Sequence, residues 1–323
     1  MTAPVLATRL EALPVAAEGL KVVALGGGHG LAVTLKAVQT YASEITAIVA
    51  VGDDGGSSGR LTSGLGIPPP GDIRRCLLAL TPDTTLWSEL FAYRFSRGDI
   101  EDHSLGNLLL AALNDITGDF GAAVDAAGRI LKTVGRVVPA ATEPAELRAI
   151  AGGREVRGQA EITKARDIES ISLGPEGLKA NPTALSAMAE ADQLILGPGS
   201  LYTSLMAVLL VPGIAEAWQN SPAQRVFVLN LIDQDGETLE LSGADHLRVL
   251  AALGGVGGPG VIITHDGPLR TPAHHRPVTV EDDSALAWGW DVNVADLVDR
   301  NVDWPEHDAA SLGLVLGRLA GSR

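Results

Sequence analysis

The chain has 323 residues, with 24 Lys or Arg against 39 Asp or Glu, a formal net charge of −15 and 46 % hydrophobic residues. That apolar share supports a packed core and excludes fibrous and disordered classes. The acidity argues against a non-specific grip on nucleic acid or on anionic membrane.

A single cysteine, Cys76, excludes an intrachain disulfide and points to a reducing cytoplasm. Residues 1–20 read as an N-terminal extension. They carry Glu11, Glu18 and two prolines, with no basic stretch ahead of an apolar block, so they do not read as a signal peptide. No run reaches the roughly 18 apolar residues of a spanning helix. The longest, Leu205 to Ala215, is broken by Pro212 and Gly213.

From Lys21 onward, short apolar runs alternate with helical stretches, the pattern of a mostly parallel α/β sheet with helices on both faces. KVVALGGG reads as a buried strand ending in a glycine turn, LAVTLKAVQTY as a helix, and EITAIVAV as a second strand. The segment GDDGGSSGRLTSGLGIPPPGD reads as a loop whose far end is set by Pro68 to Pro70. DIRRCLLAL, TLWSELFAYRF, SLGNLLLAALNDI and DFGAAVDAAGRIL read as helices. Between about 134 and 172 the texture turns to polar–apolar alternation around Gly152-Gly153, a small antiparallel β insertion. QLILGPGS, RVFVLN and GVIIT then resume the parallel strands, with YTSLMAVLL and GADHLRVLAAL as helices between them. Past Thr264 the pattern is not legible. Residues 21–323 read as one domain that carries the insertion.

Three glycine-rich segments follow three predicted strands, and ligands of open parallel sheets sit outside the carboxyl ends of the strands. Gly26, Gly27, Gly28, His29 and Gly30 open the first helix, where free amides favour a phosphate. This is not a dinucleotide fingerprint, because Leu31 stands where the third glycine belongs, and no Gly-Lys-Ser/Thr of a P-loop follows. In the second segment, Asp53 and Asp54 are candidates to hold Mg²⁺ or to accept from sugar hydroxyls. Gly55, Gly56, Ser57 and Ser58 offer amides and hydroxyls, and Arg60 and Arg74 offer charge. Asp72 reads as a cap for a helix opening at Ile73. The third segment supplies Gly199, Ser200, Tyr202, Thr203 and Ser204 for a phosphate or a base edge, with Ser200 alternatively capping its own helix.

His103 reads as a helix-start hydrogen-bonding group, or else as a general acid–base. Asn107, an amide on an apolar helix, calls for a specific partner. Asn230 ends its strand at the same sheet edge. Met188, Met206 and Cys76 read as core, and His274, His275 and Arg276 as a solvated loop that flanks the ligand at most. No triad-hydrolase or zinc-enzyme signature occurs.

GGGHGL, DDGGSSGRL, IPPPGDIR, HSLGNLLLA, ITGDF, GPGSLYTS and DHL, in this order over about Lys21 to Thr264, resemble the YvcK-like proteins of the CofD-like superfamily, which includes 2-phospho-L-lactate transferase. The resemblance implies a Rossmann-like fold and a cytoplasmic regulator that binds a UDP-sugar such as UDP-N-acetylglucosamine. It further implies links to gluconeogenic growth, cell shape and cell-wall synthesis. The glycine loops would hold the diphosphate, Asp53 and Asp54 would take hydroxyls or a metal, and Asn107 and Asn230 would orient the ligand. The expected partners are the nucleotide sugar and a regulatory protein, with no nucleic acid and no membrane insertion; self-association is open. The alternative is an Mg²⁺-dependent phosphotransferase like the transferase branch, and a nicotinamide oxidoreductase is a distant third. Two departures stand out: His29 replaces the family's usual Thr, and the part after Thr264 matches poorly.

Overall fold

The structure, a computed structural model, describes residues 19–52 and 56–322. Strands β1 (Lys21–Gly26) and β2 (Glu44–Val49) flank helix α1 (Gly28–Val38). Helices α2 (Gly56–Leu65), α3 (Pro70–Ala79), α4 (Leu86–Ala92), α5 (Leu105–Thr117) and α6 (Phe120–Leu131) lead to β3 (Arg136–Pro139). An excursion follows through β4 (Glu146–Ala151), β5 (Arg154–Arg157), α7 (Gln159–Ile162) and β6 (Ile168–Gly174). The chain returns through α8 (Pro182–Glu190) to β7 (Gln193–Leu196). A π-helical turn, Leu201–Met206, runs into α9 (Ala207–Leu209) and then α10 (Ile214–Asn220), β8 (Gln224–Val228), α11 (Gly243–Ala252) and β9 (Gly260–His265). Helix α12 (Asp282–Leu286), strand β10 (Trp290–Ala295) and helix α13 (Ala309–Gly321) complete the chain.

The main sheet has the order β10-β9-β8-β7-β1-β2-β3, with every pairing parallel. A second, antiparallel sheet has the order β5-β4-β6. Its β4–β5 turn is Gly152-Gly153, both at positive φ. Of the segment 134–172, Arg136–Pro139 belongs to the parallel sheet, because Val137, Val138 and Pro139 are buried beside β2, while β6 continues to Gly174.

Each central strand is apolar past its first one or two residues, with Thr46 of β2 the exception, and the period of two divides its side chains between the faces. Val23 and Leu25 join a core with Met188, Met206 and Trp218, whereas Val22 and Ala24 join Leu31, Leu35 and Cys76 on the other face. Burial pushes the Cys76 thiol well up, as expected of a packing residue. Fully burying each Leu, Ile or Val adds about 1.5–3 kcal/mol, and this two-sided core holds the strand ends in place.

Two local readings change. The segment after β2 is not all loop, since Gly56–Leu65 is helical. Three glycines at about 1 kcal/mol each mask its helical character, and packing against α3 and α5 overrides propensity. The segment YTSLMAVLL begins with a π-helical turn, in which Leu205 N–H reaches back to the Ser200 carbonyl at 3.0 Å.

The illegible C-terminal part is structural. β10 extends the sheet and α13 packs on α1, where a Cβ on Gly313 would lie 2.7 Å from the Ala37 carbonyl oxygen. Among the described residues no single helix is long and apolar enough to cross a membrane.

Candidate functional site

The chain builds β1, β2 and β3 outward in one direction, then returns to the other side of β1 to start β7, β8, β9 and β10. The loops after β1 and β7 therefore diverge from adjacent strand ends, and a crevice opens between them. It is a cavity of about 970 Å³, at the upper end of the range for small-molecule sites. Gly27, Gly28, His29 and Gly30 line it from the first loop, and Pro198, Gly199, Ser200 and Ser204 from the third. A Cβ on Gly30 would lie 1.8 Å from the Pro198 carbonyl oxygen, so only glycine lets the two loops meet. Arg74, Asn107 and Asn230 also line the cavity.

Three of the protein's own side chains already use amides that the sequence reading reserved for phosphate. The Asp72 carboxylate accepts from Gly28 N–H at 2.7 Å and pairs with Arg75. Asp72 does not cap its own helix: α3 starts at Pro70, with Pro69 in the cap position, so the carboxylate is free to reach α1. The Asn230 amide clamps Gly199, accepting from its N–H and donating to its carbonyl at 2.8 Å each. Asn230 thus shapes the loop through both ends of its side chain.

Glu237, buried beneath the π-helical turn, accepts from Tyr202 N–H at 2.9 Å, Thr203 N–H at 3.2 Å and the Thr203 hydroxyl at 2.9 Å. Burial raises its pKa against these donors. Tyr202 and Thr203 do not line the cavity: Thr203 is buried, and Tyr202 faces a separate hollow of about 520 Å³ beside β6 and α11. Ser200 sits at the helix cap position and makes no side-chain cap bond. Gly26, the last residue of β1, and His103, just ahead of α5, do not line the cavity either.

The Arg74 guanidinium is buried, donating through Nε to Asn107 Oδ1 at 3.0 Å and through Nη1 to the Phe91 carbonyl at 3.3 Å. The specific partner expected for Asn107 is therefore an arginine. Burial, then the neighbouring Arg75 and Arg94, lower the Arg74 pKa to about 10. Asp53, Asp54 and Gly55 lie outside the described residues, and for Gly56, Ser57, Ser58 and Arg60 only the α2 backbone is described. A magnesium site on Asp53 and Asp54 thus rests on residues outside those described; among the described residues no three metal-ligating side chains converge.

The far wall was not legible in the sequence. Asp233 follows β8, with a buried carboxylate that accepts from Arg276 N–H at 2.8 Å and Glu240 N–H at 2.9 Å and lies 3.2 Å from His275 Nδ1. His275 is therefore held by a carboxylate rather than solvated, and its ring packs edge-on against Trp304 at 5.4 Å. Gln159 from the insertion, Glu306 and His307 complete this side.

His307 is buried, and burial pushes its pKa down to about 4. The unfolded imidazole titrates near 6.5, so between these values the unfolded chain binds more protons and stability falls as pH falls. The total is about 3–4 kcal/mol at 1.4 kcal/mol per unit. Burial acts in the same sense on His246. Glu237 acts in the opposite sense at carboxylate pH. Unfolding free energies at pH 7 and 4.5 should therefore differ less in His307→Gln than in wild type, by about 2–3 kcal/mol. An unchanged difference would remove His307 as the cause.

A doubly wound α/β sheet with one crevice at its switch point defines the structural class. The profile of the family described as 2-phospho-L-lactate transferase CofD matches residues 22–297. The gluconeogenesis factor of Bacillus subtilis is 40 % identical over 306 residues, covering 92 % of this chain and 96 % of the relative. That of Halalkalibacterium halodurans is 43 % identical over 278 residues, covering 83 % and 86 %. A Nostoc sp. relative is 48 % identical over 238 residues, of whose length the match spans 52 %, about half. The crystal structure of protein BH3568 from Bacillus halodurans, elsewhere described as a member of the UPF0052 family, superposes with a TM-score of 0.88 at 38 % identity. The superposition covers 92 % of this chain and 99 % of that one. The chain belongs to the CofD family, on the side of the gluconeogenesis factors.

Proposed function

We propose that the cavity binds a nucleotide sugar, a UDP-sugar such as UDP-N-acetylglucosamine, and that the protein acts as a cytoplasmic regulator. Occupancy would set a conformation read by a protein partner in central carbon metabolism and cell-wall synthesis. The observation that carries this reading is the switch-point cavity of about 970 Å³ with unlike ends. Arg74, Arg75 and Arg94 stand at one flank, and Asp233, Asp235, His275 and Trp304 at the other. A ligand with a polyanionic middle, a hydroxyl-rich sugar and a flat base matches that division. The names of the relatives support the metabolic setting.

Calorimetric titration with UDP-N-acetylglucosamine, UDP-glucose, GDP and NAD, with and without Mg²⁺, tests the proposal. Saturable binding of a UDP-sugar that mass analysis recovers intact is expected. Recovery of a cleaved or transferred phosphoryl group would replace the regulator with a phosphotransferase, and no binding of any UDP-sugar would remove the proposal.

A further inference from the structure

A helix N-terminus next to glycines is the usual seat of a ligand phosphate, but here that seat is taken. Asp72 Oδ2 lies 2.7 Å from Gly28 N and would be 2.6 Å from a Cβ on Gly27, so the carboxylate fills the mouth of α1. A phosphate placed there would meet a fixed negative charge a few ångströms away, which repels it. At the third loop, Gly199 N–H is bonded to Asn230, and Glu237 occupies the start of the π-helical turn. The amides of Gly28, Gly199, Tyr202 and Thr203 are thus matched internally.

Positive charge is concentrated elsewhere in the same cavity. Arg74 and Arg75 project from consecutive positions of α3, and Arg94 follows α4. Arg74 is 8 % exposed, and among the described residues its side-chain bonds go to neutral oxygens, Asn107 Oδ1 and the Phe91 carbonyl. Arg94 donates to the Asp102 backbone carbonyl, again a neutral group. Among the described residues only Arg75 has a carboxylate partner, Asp72. Among the described residues three guanidiniums share about one compensating charge, in a chain whose net charge is −15. Such a cluster, with buried Arg74 fixed on α3 by the core, is costly unless an anion joins it.

We propose that Arg74, Arg75 and Arg94 form the anion subsite of the cavity and take the ligand's diphosphate. Asp72 keeps phosphate off the first glycine loop and leaves that loop to hydroxyl groups. Buried Arg74 sets the position of the subsite, being braced at two points, while the more exposed Arg75 and Arg94 close on the anion from either side. Because Asp72 holds Arg75, ligand phosphate and Asp72 compete for one guanidinium. This assignment rests on the nucleotide-sugar reading for the identity of the ligand, but inorganic pyrophosphate probes it separately.

The experiment is calorimetric titration of the full chain with inorganic pyrophosphate and with UDP, in wild type, Arg94→Gln, Arg75→Gln and Asp72→Asn. Thermal melting shows that each variant folds. Both probes should bind wild type, more weakly as salt rises. Arg94→Gln and Arg75→Gln should each weaken both probes at least tenfold. Asp72→Asn should tighten both severalfold, since it removes the competing charge.

Affinities within twofold of wild type in both arginine variants would overturn the subsite, as would failure of both probes to bind wild type. Tighter binding in Asp72→Asn without any arginine effect would also overturn it, placing the phosphate at the glycine loop. Arginine-dependent binding of pyrophosphate with no binding of a UDP-sugar would keep the subsite and remove the nucleotide-sugar reading.

Discussion

Gly30→Ala is expected to damage both the fold and the site. The added methyl would sit 1.8 Å from the Pro198 carbonyl oxygen and 2.6 Å from its carbon, both backbone atoms of the facing loop. Nothing flexible can move aside, so the loop after β7 has to shift as a body, against Asn230, which clamps Gly199 through two hydrogen bonds. Overpacking of this kind costs about 3 kcal/mol or more, and the shift opens the crevice where the loops meet. Chemical denaturation should report that loss, with ligand affinity falling in parallel. Gly28→Ala is the control: it has no neighbour within 4 Å but a φ of +64°. Its loss should be about 1–2 kcal/mol, from backbone strain alone. Equal losses in the two variants would show that the contact between the loops is not what glycine is needed for.

Replacing Glu237 has the second large effect, and the two natural replacements should diverge. Glu237→Ala leaves two amide N–H groups and one hydroxyl beneath the π-helical turn without their acceptor. Each such loss costs about 1–3 kcal/mol, so a total near 4 kcal/mol is expected in denaturant unfolding. Glu237→Gln keeps one oxygen for the two amides and turns the other end into a donor that hydroxyls can accept. It also removes a buried charge that desolvation penalises. Its stability should lie within about 1 kcal/mol of wild type. A Gln variant as unstable as the Ala variant would show that the charge, rather than the hydrogen bonding, holds the turn.

The parallel sheet was legible because its strands are short, apolar and separated by helical periodicity, a local signal that survives in one dimension. KVVALG and QLIL show it plainly, and both are strands beside one another in the sheet. Helix α2 was hidden because GSSGRLTSGL has poor helix propensity and is held by its neighbours. The C-terminal part was hidden because DVNVA is a half-buried edge strand with mixed polarity, and α13 is recognisable only by what it packs against.

The site divides in the same way. That glycine-rich loops lie at strand ends follows from the order of residues alone, and topology then brings the loops after β1 and β7 to one cavity. Which groups in those loops remain available to a ligand does not follow. Asp72 reaches Gly28 across 44 positions, Asn230 reaches Gly199 across 31, and Glu237 reaches Thr203 across 34. His275 becomes part of the wall only because Asp233, 42 positions away, holds its ring. Sequence determined the class of fold, the family and the edge of the sheet where the crevice lies, because those are written in local periodicity and motif order. Tertiary structure alone decided which donors are spent and which charges face the cavity. Hydrogen bonds and ion pairs depend on distances of about 3 Å, and distances between residues far apart in the chain are set only when the whole core has packed.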